Sequence, residues 1–382
     1  MRFKKYSDTW QETPFDSTFD ILTNNTLSRA ELNHEDGTYK NIHYGDVLIK
    51  FPAHIDVEED QEVPFVNEDS SSVKFDDALL QDGDIVIADT AEDYTVGKAT
   101  EIENSSMRKV VSGLHTIPCR PKMKFAARYL GYYINSPAYH NQLIPYIQGV
   151  KVSSISKTLI KNTSISYPSY GEQSKIAEFL SALDSKIETQ NKIISKYESL
   201  IKGLCEYIIT IANGHPIRLG EISTIYQPQT ITQAELSENG DYPVFGANGI
   251  IGYYHQFNHE KAQIIITCRG STCGTVNMSD PNSWITGNSM VINVDGYEGI
   301  VDKQYLFYYL KTISFKSMIS GSGQPQIVRK PLVDLLISLP ELNTQVKYRS
   351  IIDTIDKKLV KEKDMLSRLT DLKAYLLSNL FI

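Results

Sequence analysis

A displacement of 172 positions, the separation of Pro168 from Pro340, lays one part of this chain on another without a gap. Ile155 then falls on Ile327, Ile165 on Ile337, Ser166 on Ser338, Gln173 on Gln345, Lys175 on Lys347 and Asp184 on Asp356. The register holds from about Ser153 onward, through Leu200 on Leu372 and Leu204 on Leu376. Two unrelated amphipathic helices would share a period. They would not also share the strand and the proline ahead of it. Self-similarity at a fixed spacing marks a repeated supersecondary unit. Farther upstream the order persists with small shifts. GDIVIADT near Ile85 matches AQIIITCRG near Ile265, SGLHTI near His115 matches TGNSMVI near Ser289, and RYLGYYINS near Tyr129 matches KQYLFYYLKT near Tyr305. The chain reads as domain, helix, domain, helix: a globular part over 1–170, a helix over 171–212, a second globular part over 213–342 and a second helix over 343–382.

The helical stripes support that division. From about Gly171 to Ile209, apolar residues recur at Ile176, Phe179, Leu180, Leu183, Ile187, Ile194, Tyr197, Ile201, Leu204 and Ile208. From about Asn343 to Phe381 they recur at Ile351, Ile352, Ile355, Leu359, Leu366, Leu369, Leu376 and Leu380. Steps of three and four over this length predict long amphipathic or coiled-coil helices. Asn213-Gly214 and Pro216 close the first. Both stripes break at the same repeat position, at Gln190 and at Glu362. A polar residue at a core position costs stability and can fix register. The expected pairing surface is Leu183, Ile187, Gln190, Ile194, Tyr197 and Leu204 on one helix, and Ile355, Leu359, Glu362, Leu366, Leu369 and Leu376 on the other. A helix of ~35 residues is ~50 Å long. Two of them paired form a stiff spacer, which suits a ruler better than an enzyme site.

The globular parts mix strand-like runs (DVLIKF at 46–51, DIVIADT, KVVSGLHTIPC, AQIIITCRGS, SWITGNSMVINV) with helix-like ones (FAARYLGYYINSPAYHNQLI, DKQYLFYYLKTISF) and predict α+β domains. Glycine-rich turns punctuate the second: VFGANGIIGYY, RGSTCG and GSGQP. With 38 Lys and Arg against 46 Asp and Glu, the net charge is −8, which argues against a chain that grips nucleic acid alone. The charge is uneven. Acids crowd Glu31 to Asp93, with Glu58-Glu59-Asp60 and Glu68-Asp69, while bases gather at Lys122, Lys124, Arg128, Lys151, Lys157, Lys161, Arg329 and Lys330. Local charge decides phosphate contacts.

Catalytic signatures are missing. Asp280-Pro281-Asn282-Ser283 lacks the second proline and the aromatic of an amino-methyltransferase loop and reads as a turn. There is no Walker-type phosphate loop and no H-E-x-x-H motif. Asp82, Asp84 and Asp89 flank a strand end without an E-x-K element and read as solvated turn acids. His115 has no nucleophile partner and reads as a half-buried strand histidine or a DNA contact. Cys119, Cys205, Cys268 and Cys273 have no zinc spacing and read as reduced thiols. With no apolar leader and no run of ~18 apolar residues, the expected location is the cytoplasm.

YPVFGANGIIGYYHQFNHEKAQIIITCRGSTCGTV resembles the target-recognition domain of the specificity subunit of type I restriction–modification systems. GSGQPQIVRKPLVDLLISLPELNTQ, running into VKYRSIIDTIDKKL, is similar to that family's junction between strand and conserved helix. GVKVSSISKTLIKNTSISYPSYGEQSKIAEFLSALDSKIE resembles the same junction in the first half. In the first recognition domain GDIVIADT keeps the strand and lacks the RGS that follows it in the second. The resemblance implies two α/β recognition domains separated by two helices that pair as an antiparallel coiled coil, a pseudo-twofold tandem repeat. It implies a subunit without catalysis, whose recognition domains each read one half of a split double-stranded DNA target. It further implies docking of two adenine-methylating subunits, which carry S-adenosylmethionine, with restriction motor subunits able to join. This chain itself would hold no cofactor or metal.

Base reading needs Arg, Lys, Asn, Gln, Ser or Thr at loop tips, and phosphate contacts need bases, hydroxyls and amides. The expected DNA contacts are Arg269, Ser271, Thr272, Asn288, Gln324, Gln326 and Arg329 in the second domain and Lys98, His115, Lys151, Ser153, Ser154 and Lys157 in the first. Arg269 stands out because it ends an apolar strand and opens a glycine turn. Two other readings compete: a coiled-coil adaptor that never touches DNA, and a single-chain nuclease or methyltransferase.

Overall fold

The computed structural model describes residues 2–67, 75–149, 151–211, 214–237, 239–321 and 323–381. Glu68, Asp69 and Asn213, named above, lie outside them. The chain divides into two compact units, Met1–Gln190 with Met365–Ile382, and Asn191–Asp364.

Each unit is built on an antiparallel sheet with the same strand order. In the first unit the order is Phe19–Ile21, Thr116–Pro121, Ile85–Ala88 and Ala99–Glu103, with His54–Asp56 added in parallel at the edge. In the second it is Thr224–Tyr226, Ser289–Asn293, Ile264–Thr267 and Val276–Met278. The central strands IVIA and IIIT are buried at every position, which is why they read as unbroken apolar runs.

The repeat reaches farther in the structure than in the sequence. Gln11–Pro14 pairs with Ser164–Tyr167, and His215–Arg218 pairs with Leu336–Leu339 in the same register. That adds a second displacement, of 204, separating Gln11 from His215. The next residue of each strand docks alike: Phe15 N donates to Thr163 O and Leu219 N to Leu335 O, both at 2.9 Å. Gln173 and Gln345 hold the entrance to each long helix. Gln173 accepts from Ala126 N (3.0 Å) and donates to Pro168 O (2.9 Å). Gln345 accepts from Asp302 N (2.8 Å) and donates to Pro340 O (2.7 Å) and Ile300 O (2.9 Å). Tyr133 and Tyr309 each accept from the strand ahead of the helix, from Ser166 N and Ser338 N at 2.9 Å.

The long helices are Tyr170–Ile211 and Leu342–Leu380. Within the first unit, Ile176, Leu180 and Leu183 share a core with Leu369, Leu376 and Leu380, and Lys373 pairs with Asp184 at 2.5 Å. Within the second, Cys205 and Ile208 share a core with Ile352, and Lys363 pairs with Glu198 at 2.7 Å. As one helix advances, its partner retreats, so the pairing is antiparallel. Leu183, Ile194, Leu359, Leu369 and Leu376 are buried; Ile187, Tyr197, Leu204, Ile355, Glu362 and Leu366 are half-buried. Gln190 is buried among the apolar positions. Phe179 and Ile351, expected on the stripes, are 41% and 43% exposed. They sit one position beside the inward face, and Phe179 instead meets Phe3 edge-on at 6.0 Å.

One strand expectation fails. DVLIKF lies in a helix, Tyr44–Ile49. His43 caps it by accepting from Gly45 N at 3.2 Å, and Arg29 grips the buried Asp46 carboxylate through both oxygens (2.6 and 2.9 Å). Of the apparent alternation, Val47 and Phe51 are buried while Ile49 is 84% exposed, so the core contact does not follow a strand's period. This helix also marks where the units part. Both pair a strand in parallel, Lys109–Ser112 with Tyr39–Ile42 and Trp284–Ile285 with Tyr242–Gly246. Both then close the same bond, Gly113 N to Ile42 O (2.9 Å) and Thr286 N to Phe245 O (3.0 Å). Beyond that bond the first unit makes the helix, and the second turns back as a hairpin strand, Gly249–Tyr254.

Candidate nucleic-acid interface

Three loops meet at one end of each sheet, and the backbone holds them together in the same way twice. In the first unit, Asp89 N donates to His115 O (3.0 Å) and Ile155 N donates to Asp89 O (2.9 Å). In the second, Cys268 N donates to Asn288 O (2.9 Å) and Ile327 N donates to Cys268 O (3.0 Å). Gln148 and Ser154 exchange two bonds across a turn, and so do Ser320 and Gln326. Gly149 (φ 108°) and Gly321 (φ 90°) make those turns possible. A Cβ on Gly149 would fall 1.9 Å from Val152 O, and one on Gly321 2.5 Å from Gln324 O. Left-handed backbone with no room for a side chain is a position only glycine fills.

On this shared frame His115 matches Asn288, Thr90 matches Arg269, Ser154 matches Gln326 and Lys157 matches Arg329. The first unit brings together His115, Lys151, Ser153, Ser154 and Lys157. Thr90–Ala91 pairs with Ser153–Ser154. His115 lies in a turn with φ 53°, not in a strand, with its side chain 47% exposed. Its Nδ1 is 3.3 Å from Asp89 Oδ1 and 3.3 Å from Thr90 Oγ1, and its ring meets Tyr44 edge-on at 5.3 Å. Lys157 donates to Asn24 Oδ1 (2.7 Å), and Asn24 donates to Gly113 O (3.2 Å). Lys98 does not join them. Its ammonium donates to Leu48 O at 2.8 Å, and burial, helped by Lys373, lowers its pKa.

The second unit brings together Arg269, Ser271, Thr272, Asn288, Gln324 and Gln326. Arg269 bridges Gln326, and Gly270 N donates to Pro325 O at 3.1 Å. Arg269, Ser271, Asn288, Gln324 and Gln326 are exposed, and Thr272 is half-buried. Arg329 anchors the frame, with Nε donating to Ile225 O at 2.6 Å.

Several of the bases noted in the sequence are neutralised within the chain. Lys122 pairs with Asp20 (3.3 Å), Lys161 with Asp16 (3.1 Å) and Arg128 with Glu103 (2.6 Å). Asp84 is buried and gripped by Arg120 through both oxygens (2.9 and 2.7 Å), and Asp82 accepts from Ser105 N and Oγ. Asp84 is therefore not the solvated turn acid expected, whereas Asp82 is exposed. Among the described residues no group of three or more His, Cys, Asp or Glu is placed to hold one. None of the described helices is long and apolar enough to cross a membrane.

Sequence reasoning missed Asn24, Tyr44, Thr90 and Gln227. Gln227 donates to Gly287 O, next to Asn288, and Asn24 donates to Gly113 O, two residues before His115. The displacement of 204 lays Asn24 on Pro228 and Thr23 on Gln227, so it does not find this pair. It rests on QETP matching HPIR, which share a backbone register and almost no chemistry.

The chain is similar to the type I restriction enzyme EcoprrI specificity subunit of Escherichia coli, 28% identical over 142 residues. That match covers 36% of this chain and only about a third (35%) of the E. coli protein's length. It is also similar to the type I restriction enzyme MjaVIII specificity subunit of Methanocaldococcus jannaschii, 23% identical over 265 residues, 58% of this chain and 62% of that one. The fold matches the crystal structure of a type I restriction–modification system S subunit from M. genitalium with a TM-score of 0.63 at 18% identity, covering 98% of this chain and 96% of the other. The family model described as type I restriction modification DNA specificity domain matches twice, over residues 8–199 and 215–368. Two matches in tandem, each spanning one globular part and the start of its helix, place this chain in the type I restriction–modification DNA specificity family.

Proposed function

We propose that this chain reads a bipartite double-stranded DNA target in the cytoplasm and does no chemistry itself. Residues 1–170 read one half and 213–342 the other, while the helices over 171–212 and 343–382 set the gap. One observation carries this reading: an identical loop frame presents different side chains in the two units. A reader of two unlike half-sites needs one scaffold and two sets of base contacts. Arg269, Asn288, Gln324 and Gln326 read bases in one half; His115, Ser153 and Ser154 do so in the other. Lys151, Lys157, Ser271, Thr272 and Arg329 position the backbone.

The repeated helices carry Lys175 and Lys347, Asp184 and Asp356, and Lys186 and Lys358 at matching positions, so they dock two copies of an adenine-methylating subunit, which binds S-adenosylmethionine. Restriction motor subunits join that core. Those partners supply positive charge that a chain of net charge −8 lacks. Mapping methylated adenines in a host carrying this chain tests the reading. A split motif with a fixed gap is expected; a short continuous motif would overturn it. Methyl transfer by the purified chain alone, given DNA and S-adenosylmethionine, would overturn the non-catalytic assignment.

A further inference from the structure

The hairpin that replaces the first unit's helix has an exposed apolar tip beside the proposed base readers. Its strands Tyr242–Gly246 and Gly249–Tyr254 pair down to Gly246 opposite Gly249. Two side-chain bonds pin the tip to the sheet: Thr267 Oγ1 donates to Ala247 O, and Ser289 Oγ donates to Gly246 O at 3.1 Å. Thr267 and Ser289 end the two central strands, and the next residues outward are Cys268-Arg269 on one and Asn288 on the other. A duplex held by Arg269 and Asn288 therefore meets this tip.

The tip's chemistry excludes a phosphate contact by charge. Tyr242–Asn258 contains no Asp, Glu, Lys or Arg. Ile250 is 50% exposed and Ile251 49% exposed. The ribbon bulges at Ile251, which stands unpaired, yet Ile250 lies opposite Phe245 while Ile251 lies over Gly246, the next residue and the other face, so the ribbon is apolar on both sides. Reading a thymine methyl group needs one apolar face. An insertion between stacked bases needs two, and isoleucine is among the side chains that make such wedges.

We propose that Ile250 and Ile251 form a wedge that opens one base step in the half-target read by the second unit. This rests on the DNA-reading function proposed above and adds a distortion confined to one half. The first unit has Tyr44 at the corresponding place, edge-on to His115, and the helix Tyr44–Ile49 instead of the hairpin.

The test uses the full chain assembled with its methylating subunits. Duplexes carry the mapped target with 2-aminopurine at successive positions of each half. The half whose sequence dependence Arg269→Ala relaxes is the second unit's. Wild type should raise the fluorescence at one step there and at none in the other half. Ile250→Ser with Ile251→Ser should abolish that rise and weaken binding about tenfold or more, with unchanged melting of the complex. Binding and fluorescence like wild type in this variant, while Arg269→Ala still weakens binding, would overturn the wedge and leave the DNA-reading function intact. Loss of methylating subunits with DNA contact preserved would also overturn it, by assigning the tip to a protein partner. If neither variant changes binding, the function proposed for the second unit fails as well.

Discussion

Asp89 and Cys268 occupy one place in the two units, and each passes its amide to the loop before the next strand and its carbonyl to the loop after the helix. Their side chains have nothing in common. Asp89 faces His115 and Thr90, whereas Cys268 is buried against Gly287 O and Gln227. The contrast extends over the whole interface. At these loops the units agree where backbone groups bond to each other, and they differ where side chains face out. A few residues suffice to keep the frame: the glycine turns at 149 and 321, the glutamines at 173 and 345, and the tyrosines at 133 and 309. The rest of each loop is free to vary, which a reader of two different sequences requires.

The glutamines give the hardest test of that agreement. Gln173 serves two backbone groups and Gln345 three, and both are buried. Each buried group left unpaired costs about 1–3 kcal/mol. Gln345→Ala should therefore destabilise the second unit by about 3 kcal/mol, and Gln173→Ala should cost the first unit less. Trp10 lies in the first unit and Trp284 in the second, so urea titrations of Trp10→Phe and Trp284→Phe backgrounds report each unit alone. Equal losses would mean that the third bond, from Gln345 to Ile300 O, adds nothing to the second entrance.

A difference in pH response should separate the units next. Burial lifts the Glu101 carboxyl to about 7, against the amides of Gly131 and Arg128 that donate to it. The strand pairing puts Met278 at the equivalent place in the second unit. Between about pH 4.5 and 7 the folded first unit holds a proton that the unfolded chain has released. Its stability is greatest at the acid end and falls as pH rises through 7, by about 2 kcal/mol from pH 5 to 7. Glu101→Gln should flatten that slope, and the second unit should gain stability over the same window, because burial lowers the pKa of His259. A loss of stability with rising pH in the second unit's unfolding would assign the slope to a group other than Glu101.

Legibility in the sequence followed burial. Ile85–Ala88 and Ile264–Thr267 were readable because every position is buried, and the long helices because their apolar steps span many turns. DVLIKF misled because a side-chain cap and an ion pair to the buried Asp46 carboxylate hold its short helix, and neither leaves a periodic signal. The candidate site was readable where the ungapped repeat fixed it, as at Ser154 with Gln326 and Lys157 with Arg329. It was not readable at Lys98, whose position fits the loop cluster while its ammonium turns toward Leu48 O. Nor was it readable at Asn24, which reaches the site from a segment with no apolar pattern.

The loop frame places Arg269 where the first unit has Thr90. If the exposed guanidinium reads a base, Arg269→Ala should weaken binding by the assembled complex about tenfold, at the lower end of the ~1–3 kcal/mol expected of such a contact. Thr90→Ala should change it far less, because its hydroxyl is already engaged by Asp89 at 2.7 Å. Equilibrium titration on the mapped target decides this. Comparable losses from the two variants would show that the frame, rather than the side chain it presents, sets the affinity.

The smallest contrast lies in the helices. Lys373 and Asp184 are about three-quarters shielded, at 26% and 21% exposure, and Asp184 also accepts from Tyr132 Oη at 2.8 Å. Lys363 and Glu198 are 53% and 50% exposed. Exposed ion pairs contribute ~0–1 kcal/mol, because water screens the attraction and two long side chains lose freedom. Lys373→Met should cost the first unit about 1 kcal/mol, since it leaves a shielded carboxylate with one partner fewer. Lys363→Met should cost the second less than about 0.5 kcal/mol. Moderate salt should widen the gap slightly, because screening acts most on the exposed pair, whose contribution is already small. The displacement of 172 maps Asp184 onto Asp356 but Lys373 onto Ile201, so this ion pair belongs to one end of the helix pair alone. Urea midpoints for the two variants that fall together would mean that shielding does not distinguish the ends, and that apolar packing alone holds both.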